Sequence, residues 1–138
     1  MNRLIRALSD SVLAFEAAAR DARSYLVYAE YEHDIQRRRV VIGRLSEIVR
    51  HLGGTPPNRG TMIGMVKRGV GRLIKSDLVI GRLFEHEERH LIAIVTALHA
   101  RPALPDMVFN ELCSVLQELR EDLFEMEIVD FRLETDAV

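Results

Sequence analysis

Apolar residues recur at helical spacing in four long stretches of this sequence, and this periodicity restricts the fold more than any other feature. Spacings of three and four residues place side chains on one face of a helix, whereas a strand requires alternation. Glycine and proline, which interrupt helices, cluster around 53–71 and around 100–105. No alternating segment of Val, Ile, Thr or Tyr bounded by turn residues is present. The chain is therefore predicted to be all-α.

Four helices are predicted from the apolar stripes and the breaks between them. Gly53-Gly54 followed by Pro56-Pro57 is a helix stop, and Ser76 is a suitable N-cap. The predicted helices run from Asn2 to about Ala22, from about Tyr25 to Leu52, from Asp77 to about Ala100 and from Asp106 to about Leu133. Residues 53–76 form a connector with its own short helix at about 61–75. We expect a single domain, residues 1–138, with two helical hairpins at 2–52 and 77–133.

The lengths of the connections predict how the helices are arranged. The connections between helices 1 and 2 and between helices 3 and 4 are short, so each pair is expected to form an antiparallel hairpin. The connector between helices 2 and 3 is long enough to cross a bundle and to place helix 3 parallel to helix 2. Two hairpins joined by one long crossover form a ferritin-like arrangement.

The composition excludes several classes of protein. Cys113 is the only cysteine, so the chain forms no internal disulfide, which fits a cytoplasmic location. The N-terminal segment carries charges within its apolar stretch, unlike a signal peptide. No segment approaches the roughly 18 apolar residues that a membrane span requires. The sequence also lacks a phosphate-binding glycine motif and a nucleophile-elbow motif.

Charged residues are distributed unevenly along the chain. Residues 35–82 contain 11 basic and 2 acidic side chains, whereas residues 83–138 contain 4 basic and 13 acidic ones. Opposite blocks in a small chain usually pack side by side, which is the favoured interpretation. The alternative is a basic surface for an anionic partner. Nucleic acid is not expected as that partner, because no signature of a nucleic-acid-binding fold is present.

A carboxylate interrupts the apolar stripe of helix 3. Glu87 lies between Phe84 and Leu91 at helical spacing, so its side chain is predicted to be buried. A buried carboxylate needs an ion pair, hydrogen bonds or a metal ion. Two interpretations follow. Glu87 pairs with Arg38, which interrupts the stripe of helix 2, or Glu87 and His90 ligate a metal.

Short motifs in the first three helices are typical of one family. They are LIRAL (4–8) and FEAA (15–18) in helix 1, RHLGGTP (50–56) at the end of helix 2, and Glu87 leading to Ala97-Leu98 in helix 3. With these motifs the chain resembles an uncharacterised bacterial family of ferritin-like proteins, over most of residues 3–130. The resemblance implies a ferritin-like four-helix bundle that self-associates, and it implies no reaction.

The resemblance also implies a set of candidate metal ligands. Ferritin-like di-metal sites use one Glu on each of two helices and a Glu-x-x-His motif on each of the other two, and the implied metals are Fe or Mn. The corresponding residues here are Glu16, Glu30, His33, Glu87, His90 and Asp122. The second Glu-x-x-His motif lies on helix 3 instead of helix 4, and helix 4 contains no histidine. The ligand set is therefore incomplete.

Structural roles are the alternative for several of these residues. Glu16 is placed to pair with Arg20 at i+4, and helical geometry predicts that His33 faces solvent. Under this interpretation the bundle has a degenerate metal site. It acts as a homodimer or binds another protein, with the basic connector as the contact element.

Self-association is the favoured function, and a non-haem iron or manganese protein in metal or oxidant handling is the alternative. The stripes on helices 2 and 4 extend beyond what one facing helix covers. The residues in excess are Val41, Ile48, Phe124 and Ile128, which are expected to form an exposed apolar patch. The sequence identifies no enzymatic reaction under either hypothesis.

Overall fold

The structure is a computed structural model that describes residues 1–58 and 76–136. These residues form four α-helices and no strand, so the predicted all-α four-helix fold is confirmed. The helices are α1 (Asn2–Asp21), α2 (Tyr25–His51), α3 (Asp77–His99) and α4 (Asp106–Asp136). Each begins and ends within one turn of its predicted position. The short helix predicted at about 61–75 lies outside the described residues.

Local signals explain where the helices begin and end. The Ser76 hydroxyl accepts a hydrogen bond from the backbone N–H of Val79 at 3.3 Å, as expected of an N-cap. Gly53 follows α2 with a φ of 86°, a left-handed conformation that favours glycine. The Asp77 carboxylate at the start of α3 accepts bonds from the backbone N–H groups of Arg23 and Ser24, each at 3.0 Å. This carboxylate holds the start of α3 against the turn between α1 and α2.

Contacts at the two ends of the bundle establish the topology. At one end the Asn2 side chain donates to the carbonyl oxygen of Thr55, just beyond α2. At the opposite end Asp77 binds the turn that precedes α2. The last residues of α2 and the first residues of α3 therefore lie at opposite ends, and the two helices run parallel. The main contacts are between α1 and α2 and between α3 and α4, as predicted for two hairpins.

The apolar core has two parts. The first contains Leu4, Ile5, Leu8, Val41, Leu45, Ile48, Val49, Leu91, Val95, Val108, Leu112, Val115 and Leu119. The second contains Val12, Ala14, Phe15, Ala18, Ala19, Val27, Tyr31, Ile35, Ile80, Phe84 and Met126. Within the second part the rings of Phe15, Tyr31 and Phe84 pack together, with centroids 4.7–5.7 Å apart.

Two of the four residues predicted to form an exposed apolar patch are buried in the structure, and two are exposed. Val41 and Ile48 are buried in the first part of the core, because α2 is covered by α1 on one side and by α4 on the other. Phe124 and Ile128 of α4 are exposed, as predicted. Of the four residues predicted to form the patch, only the two on α4 therefore contribute exposed apolar surface.

Basic and acidic side chains meet between the helices. Arg44 of α2 binds Glu111 and Glu118 of α4, at 2.6 and 3.0 Å. Arg82 of α3 binds Glu134 of α4 at 2.6 Å. For these residues the favoured interpretation of the uneven charge distribution is confirmed. No helix in the two described ranges combines the length and apolar character that crossing a membrane would need.

Candidate metal centre

A charged layer crosses the bundle between the two parts of the apolar core. Its centre is Arg38 of α2, which is 1% exposed. Its Nη1 donates to Ser11 Oγ of α1 at 2.8 Å, and its Nη2 donates to both carboxylate oxygens of Glu88 of α3. Asp122 Oδ2 of α4 lies 3.7 Å from the same Nη2. All four helices thus contribute a side chain to this Arg38 layer, which consists of Ser11, Arg38, Glu88 and Asp122.

The charges in the Arg38 layer are balanced. Asp122 also forms a 3.0 Å ion pair with Arg37 of α2, so two arginines face two carboxylates. Burial alone would lower the pKa of Arg38, but the Glu88 and Asp122 carboxylates outweigh it and raise that pKa. The guanidinium is therefore a fixed positive charge in the centre of the bundle. Each of its carboxylate partners therefore already has an arginine as its counter-charge, although burial still raises the pKa of both acids.

The carboxylate at the centre of the buried face of α3 lies one residue from the predicted Glu87. Glu88 is the buried carboxylate of α3, whereas Glu87 is half-buried in a groove between α1 and α3. The buried face of α3 passes through Phe84, Glu88, Leu91 and Val95. The expectation that an arginine pairs with the buried glutamate, and that this arginine is Arg38, holds for Glu88. His90 is exposed and lines the same groove as Glu87.

A second group of polar side chains lies beside the Arg38 layer, between α2 and α4. It consists of Glu30, His33, Asp34 and Glu125, and is called the Asp34 cluster below. One possible ligand atom from each residue lies within 4.8 Å of the others. Glu30, His33 and Asp34 share one face of α2 because they are three and four residues apart. Glu125 approaches them from α4.

Asp34 is the most unusual residue in the described part of the chain. Its side chain is fully buried, and neither carboxylate oxygen has a hydrogen-bond partner among residues 1–58 and 76–136. Glu30 Oε1 is likewise buried there without a partner. Buried polar atoms are almost always satisfied, and an exception calls for an explanation such as a bound ion. A cation held between these oxygens would satisfy them.

The electrostatics of the Asp34 cluster favour that explanation. Burial raises the pKa of Asp34 to about 9, and the neighbouring carboxylates of Asp122 and Glu30 add to the effect. Burial and the carboxylate of Glu125 also raise the pKa of Glu30. These shifts mean that ionised carboxylates are disfavoured in the cluster, so its carboxyl groups hold protons near neutral pH unless a cation replaces them. A divalent cation would supply the opposite charge.

The structure brings two of the six predicted ligands together. Glu30 and His33 lie in the Asp34 cluster, with His33 at its solvent side, 54% exposed as predicted. Glu16 is elsewhere: its carboxylate pairs with Arg39 at 2.6 Å instead of with Arg20. Asp122 is buried, as its position on the apolar face predicted, but it binds arginines.

Sequence reasoning missed Asp34 and Glu125. Asp34 had one available signal, since it lies at i+4 from Glu30 and directly follows His33 in a helix. Glu125 had none, because its position depends on how α4 is aligned against α2. That alignment is visible only in the structure, where Arg44, Arg37 and His33 lie opposite successively later residues of α4.

Another buried carboxyl pair lies between α3 and α4 and is balanced differently. Glu85 and Asp130 are both buried, and Arg82 and Arg89 contact Glu85 from the surface at 3.0 and 3.4 Å. Burial and a hydrogen bond to Glu85 raise the pKa of Asp130 to about 8. One proton and two arginines thus stabilise this pair. Gly81 leaves room for it, since a Cβ there would lie 2.0 Å from Asp130 Oδ1.

Comparison with known proteins places most of these residues within one family. No curated protein and no solved structure matches the chain. The family described as a domain of unknown function, DUF2383, matches residues 1–99, which include α1, α2 and α3. Asp34, Arg38 and Glu88 lie within the matched residues, and Asp122 and Glu125 lie beyond them. Because the match covers well over half of the chain, this protein belongs to the DUF2383 family.

Proposed function

We propose that this protein is a ferritin-like bundle that binds one Fe²⁺ or Mn²⁺ ion at Glu30, His33, Asp34 and Glu125, in metal or oxidant handling. The observation that carries the proposal is the fully buried Asp34 carboxylate, whose two oxygens lack hydrogen-bond partners among the described residues. Leaving such a group unsatisfied costs free energy, and a bound cation removes that cost. Three further potential ligands lie beside it.

The chemistry of the donor atoms selects the class of metal. Three carboxylates and one imidazole suit Fe²⁺ and Mn²⁺, whereas thiolate-rich sites favour softer metals. Ca²⁺ takes six to eight oxygen ligands and does not use imidazole. Iron held in this way would supply one-electron chemistry with oxygen or peroxide. His33 is half-exposed, so an ion would enter from the solvent side of the cluster.

The topology supports the ferritin-like part of the proposal. The bundle consists of two antiparallel hairpins with α2 parallel to α3, which is the arrangement of ferritin-like folds. Glu30-x-x-His33 lies on α2, where that superfamily places one of its two Glu-x-x-His motifs. On α4 the corresponding residues are Asp122-x-x-Glu125. Asp122 is occupied by arginines, so only one half of a di-metal ligand set is free to bind an ion.

Metal content tests the proposal directly. Protein purified without chelators, or stripped and titrated with Mn²⁺ in a calorimeter, should bind one ion per chain. Asp34→Asn should bind none, because the amide keeps the size of the side chain but not its charge. Glu118→Gln is the matched control, since Glu118 is an acid of α4 that pairs with Arg44 outside the cluster. Glu16→Ala and Glu87→Ala should also retain the ion. A wild-type protein that binds neither metal would contradict the proposal.

Self-association is a second candidate function, and a separate observation favours it. Phe124 and Phe131 of α4 are 64% and 66% exposed, and Ile128 between them is also exposed. Contiguous exposed apolar side chains are uncommon on monomers and are typical of contact surfaces. A second copy of the chain, or the apolar surface of another protein, would cover them.

Light scattering distinguishes a self-associating protein from a monomer. The wild-type protein should elute as a dimer, and the double variant Phe124→Asp/Phe131→Asp should elute as a folded monomer. Val40→Asp is the control, because Val40 is similarly exposed but lies on α2. A wild-type protein that stays monomeric at high concentration would refute this candidate and leave the metal proposal intact.

A further inference from the structure

The buried acids of the Arg38 layer and of the Asp34 cluster are neighbours that interact electrostatically. The charges of Asp122, Glu30 and Glu88 all act on Asp34, and so does the guanidinium of Arg38. Three buried carboxylates, Asp34 of α2, Glu88 of α3 and Asp122 of α4, therefore surround this arginine. A set of acids of this size could hold more than one cation. The guanidinium already occupies the space between Glu88 and Asp122.

We infer that Arg38 is an internal cation that keeps Glu88 and Asp122 from ligating metal and thereby limits the bundle to one ion. The inference rests on the proposed metal site at Asp34. Both Glu88 oxygens accept hydrogen bonds from Arg38 Nη2, so the guanidinium occupies the position from which an ion would bind both oxygens and it already supplies the opposite charge. Asp122 is held between Arg37 and Arg38. In this account Arg38 determines the number of ions without being a ligand.

The position of Arg38 is itself fixed, which such a role requires. Ser11 Oγ accepts a hydrogen bond from Nη1, and the guanidinium lies 5.2 Å from the centroid of the Phe15 ring. A guanidinium remains protonated at every physiological pH, so it cannot give way to a metal by losing its charge. A compact lysine ammonium would keep the charge but could not bond to Glu88 and Ser11 in the same way.

Replacing Arg38 by an uncharged side chain of similar length tests the inference. In Arg38→Met, the acids Glu88 and Asp122 lose this counter-charge, and a second divalent ion should take its place. The measurement is the number of Mn²⁺ ions per chain, obtained by elemental analysis after dialysis and by calorimetric titration. We expect one ion in the wild type and two in Arg38→Met. Arg38→Lys, which preserves the charge, should bind one.

The matched control is Arg44→Met. Arg44 also lies on α2 and pairs with two acids of α4, but neither of those acids belongs to the Asp34 cluster or pairs with Arg38. Its replacement should leave the count at one ion. If extra ions bound only because the interface between α2 and α4 had loosened, both variants should bind more Mn²⁺ per chain. A second ion in Arg38→Met alone would therefore indicate that Arg38 excludes metal and does not act only as a structural residue.

Each outcome decides the inference. One ion in folded Arg38→Met overturns it and leaves the proposed metal site standing. Failure of Arg38→Met to fold even with excess Mn²⁺ also overturns it, because the second ion is required to replace the lost charge. Failure of the proposed function has a different signature, namely no ion in the wild type. In that case one ion gained by Arg38→Met would still support the exclusion of metal by Arg38, and none would overturn both.

Discussion

The Arg38 layer and the Asp34 cluster lie side by side, but their buried carboxylates are stabilised in different ways. Glu88 and Asp122 each contact an arginine within the bundle. Asp34 has no hydrogen-bond partner in residues 1–58 and 76–136, although its side chain is as deeply buried as that of Glu88. Depth alone therefore does not distinguish the two sets of acids. The difference is whether the surrounding residues supply a cation.

This comparison shows how to separate a structural acid from a candidate ligand in a helical bundle. A carboxylate in an apolar stripe is evidence of a partner, but the partner is often an arginine from a neighbouring helix. An acid that remains unsatisfied after every arginine has been assigned is the better candidate for binding an ion. By this criterion Asp34 is a candidate ligand and Glu88 is not.

Replacing Glu88 should have the largest effect on stability. Glu88→Ala leaves the buried Arg38 without its main partner, and loss of one partner of a buried pair costs about 3–5 kcal/mol. Glu87→Ala, one residue away, should cost at most about 1 kcal/mol, since Glu87 is half-buried at the groove. Urea unfolding of both variants in the presence of a chelator measures the difference. Equal losses in the two variants would break the distinction between the buried and the surface carboxylate.

The fold was predictable because its signals are local. Helical spacing of apolar residues predicted four helices, and Gly53-Gly54, Pro56-Pro57 and Ser76 marked their ends correctly. Short connections predicted the two hairpins. None of these inferences requires knowledge of which residues of two helices lie opposite each other.

The candidate site was less predictable because it depends on such alignments. Adjacent residues on a helix are separated by about 100° of rotation, so an error of one residue exchanged Glu88 for Glu87. The apparent stripe of α3 included Leu83, which is exposed, and Ile94, which is only partly buried, and this shifted its predicted centre. Glu30 and His33 were recognised from a motif within one helix. Glu125 belongs to another helix, and no motif in the sequence connects it with them.

Addition of metal should stabilise the folded protein through the Asp34 cluster and not through the Arg38 layer. A ligand that binds only the folded state stabilises it by about 2.7 kcal/mol at a free concentration roughly 100 times its Kd. Mn²⁺ should therefore raise the free energy of unfolding of the wild type by this amount. Asp34→Asn should show no such increase, whereas Glu88→Ala should retain it despite its lower starting stability. Equal stabilisation of wild type and Asp34→Asn would show that the ion binds elsewhere.

Asp130 provides a third case, in which the buried carboxyl group holds a proton beside the arginine-paired carboxylate of Glu85; without a bound metal Asp34 holds a proton as well, because its pKa is raised to about 9. Its pKa is raised from 3.8 to about 8, so the folded state holds a proton that the unfolded state releases near pH 4. The stabilisation from this group is complete below about pH 4 and is lost as the pH rises to about 8. Within that window the free energy of unfolding should fall, through this group, by roughly 1 kcal/mol for each pH unit of increase. Asp130→Asn should reduce the slope, measured by urea unfolding across the range in a chelating buffer.

Glu134→Gln is the control for this pH dependence. Glu134 also binds Arg82 but is largely exposed, so it should leave the slope unchanged. If the wild-type stability were constant between pH 5 and pH 8, a proton shared by Glu85 and Asp130 could not be the stabilising element.

The smallest effect is expected for the ion pairs at the surface between α2 and α4. Arg44 binds Glu111 and Glu118 with the same donor and acceptor types as Arg38 and Glu88, but its side chain is 36% exposed. Exposed pairs contribute about 0.2–1 kcal/mol, because water already solvates both charges. Arg44→Met should therefore lower the free energy of unfolding by less than about 1 kcal/mol per pair.

At about 1 M salt, where charges are screened within roughly 3 Å, even this loss should diminish. A double-mutant cycle of Arg44→Met with Glu118→Gln measures the coupling, and a value near that of Arg38 with Glu88 would show that burial is not what separates the two kinds of pair.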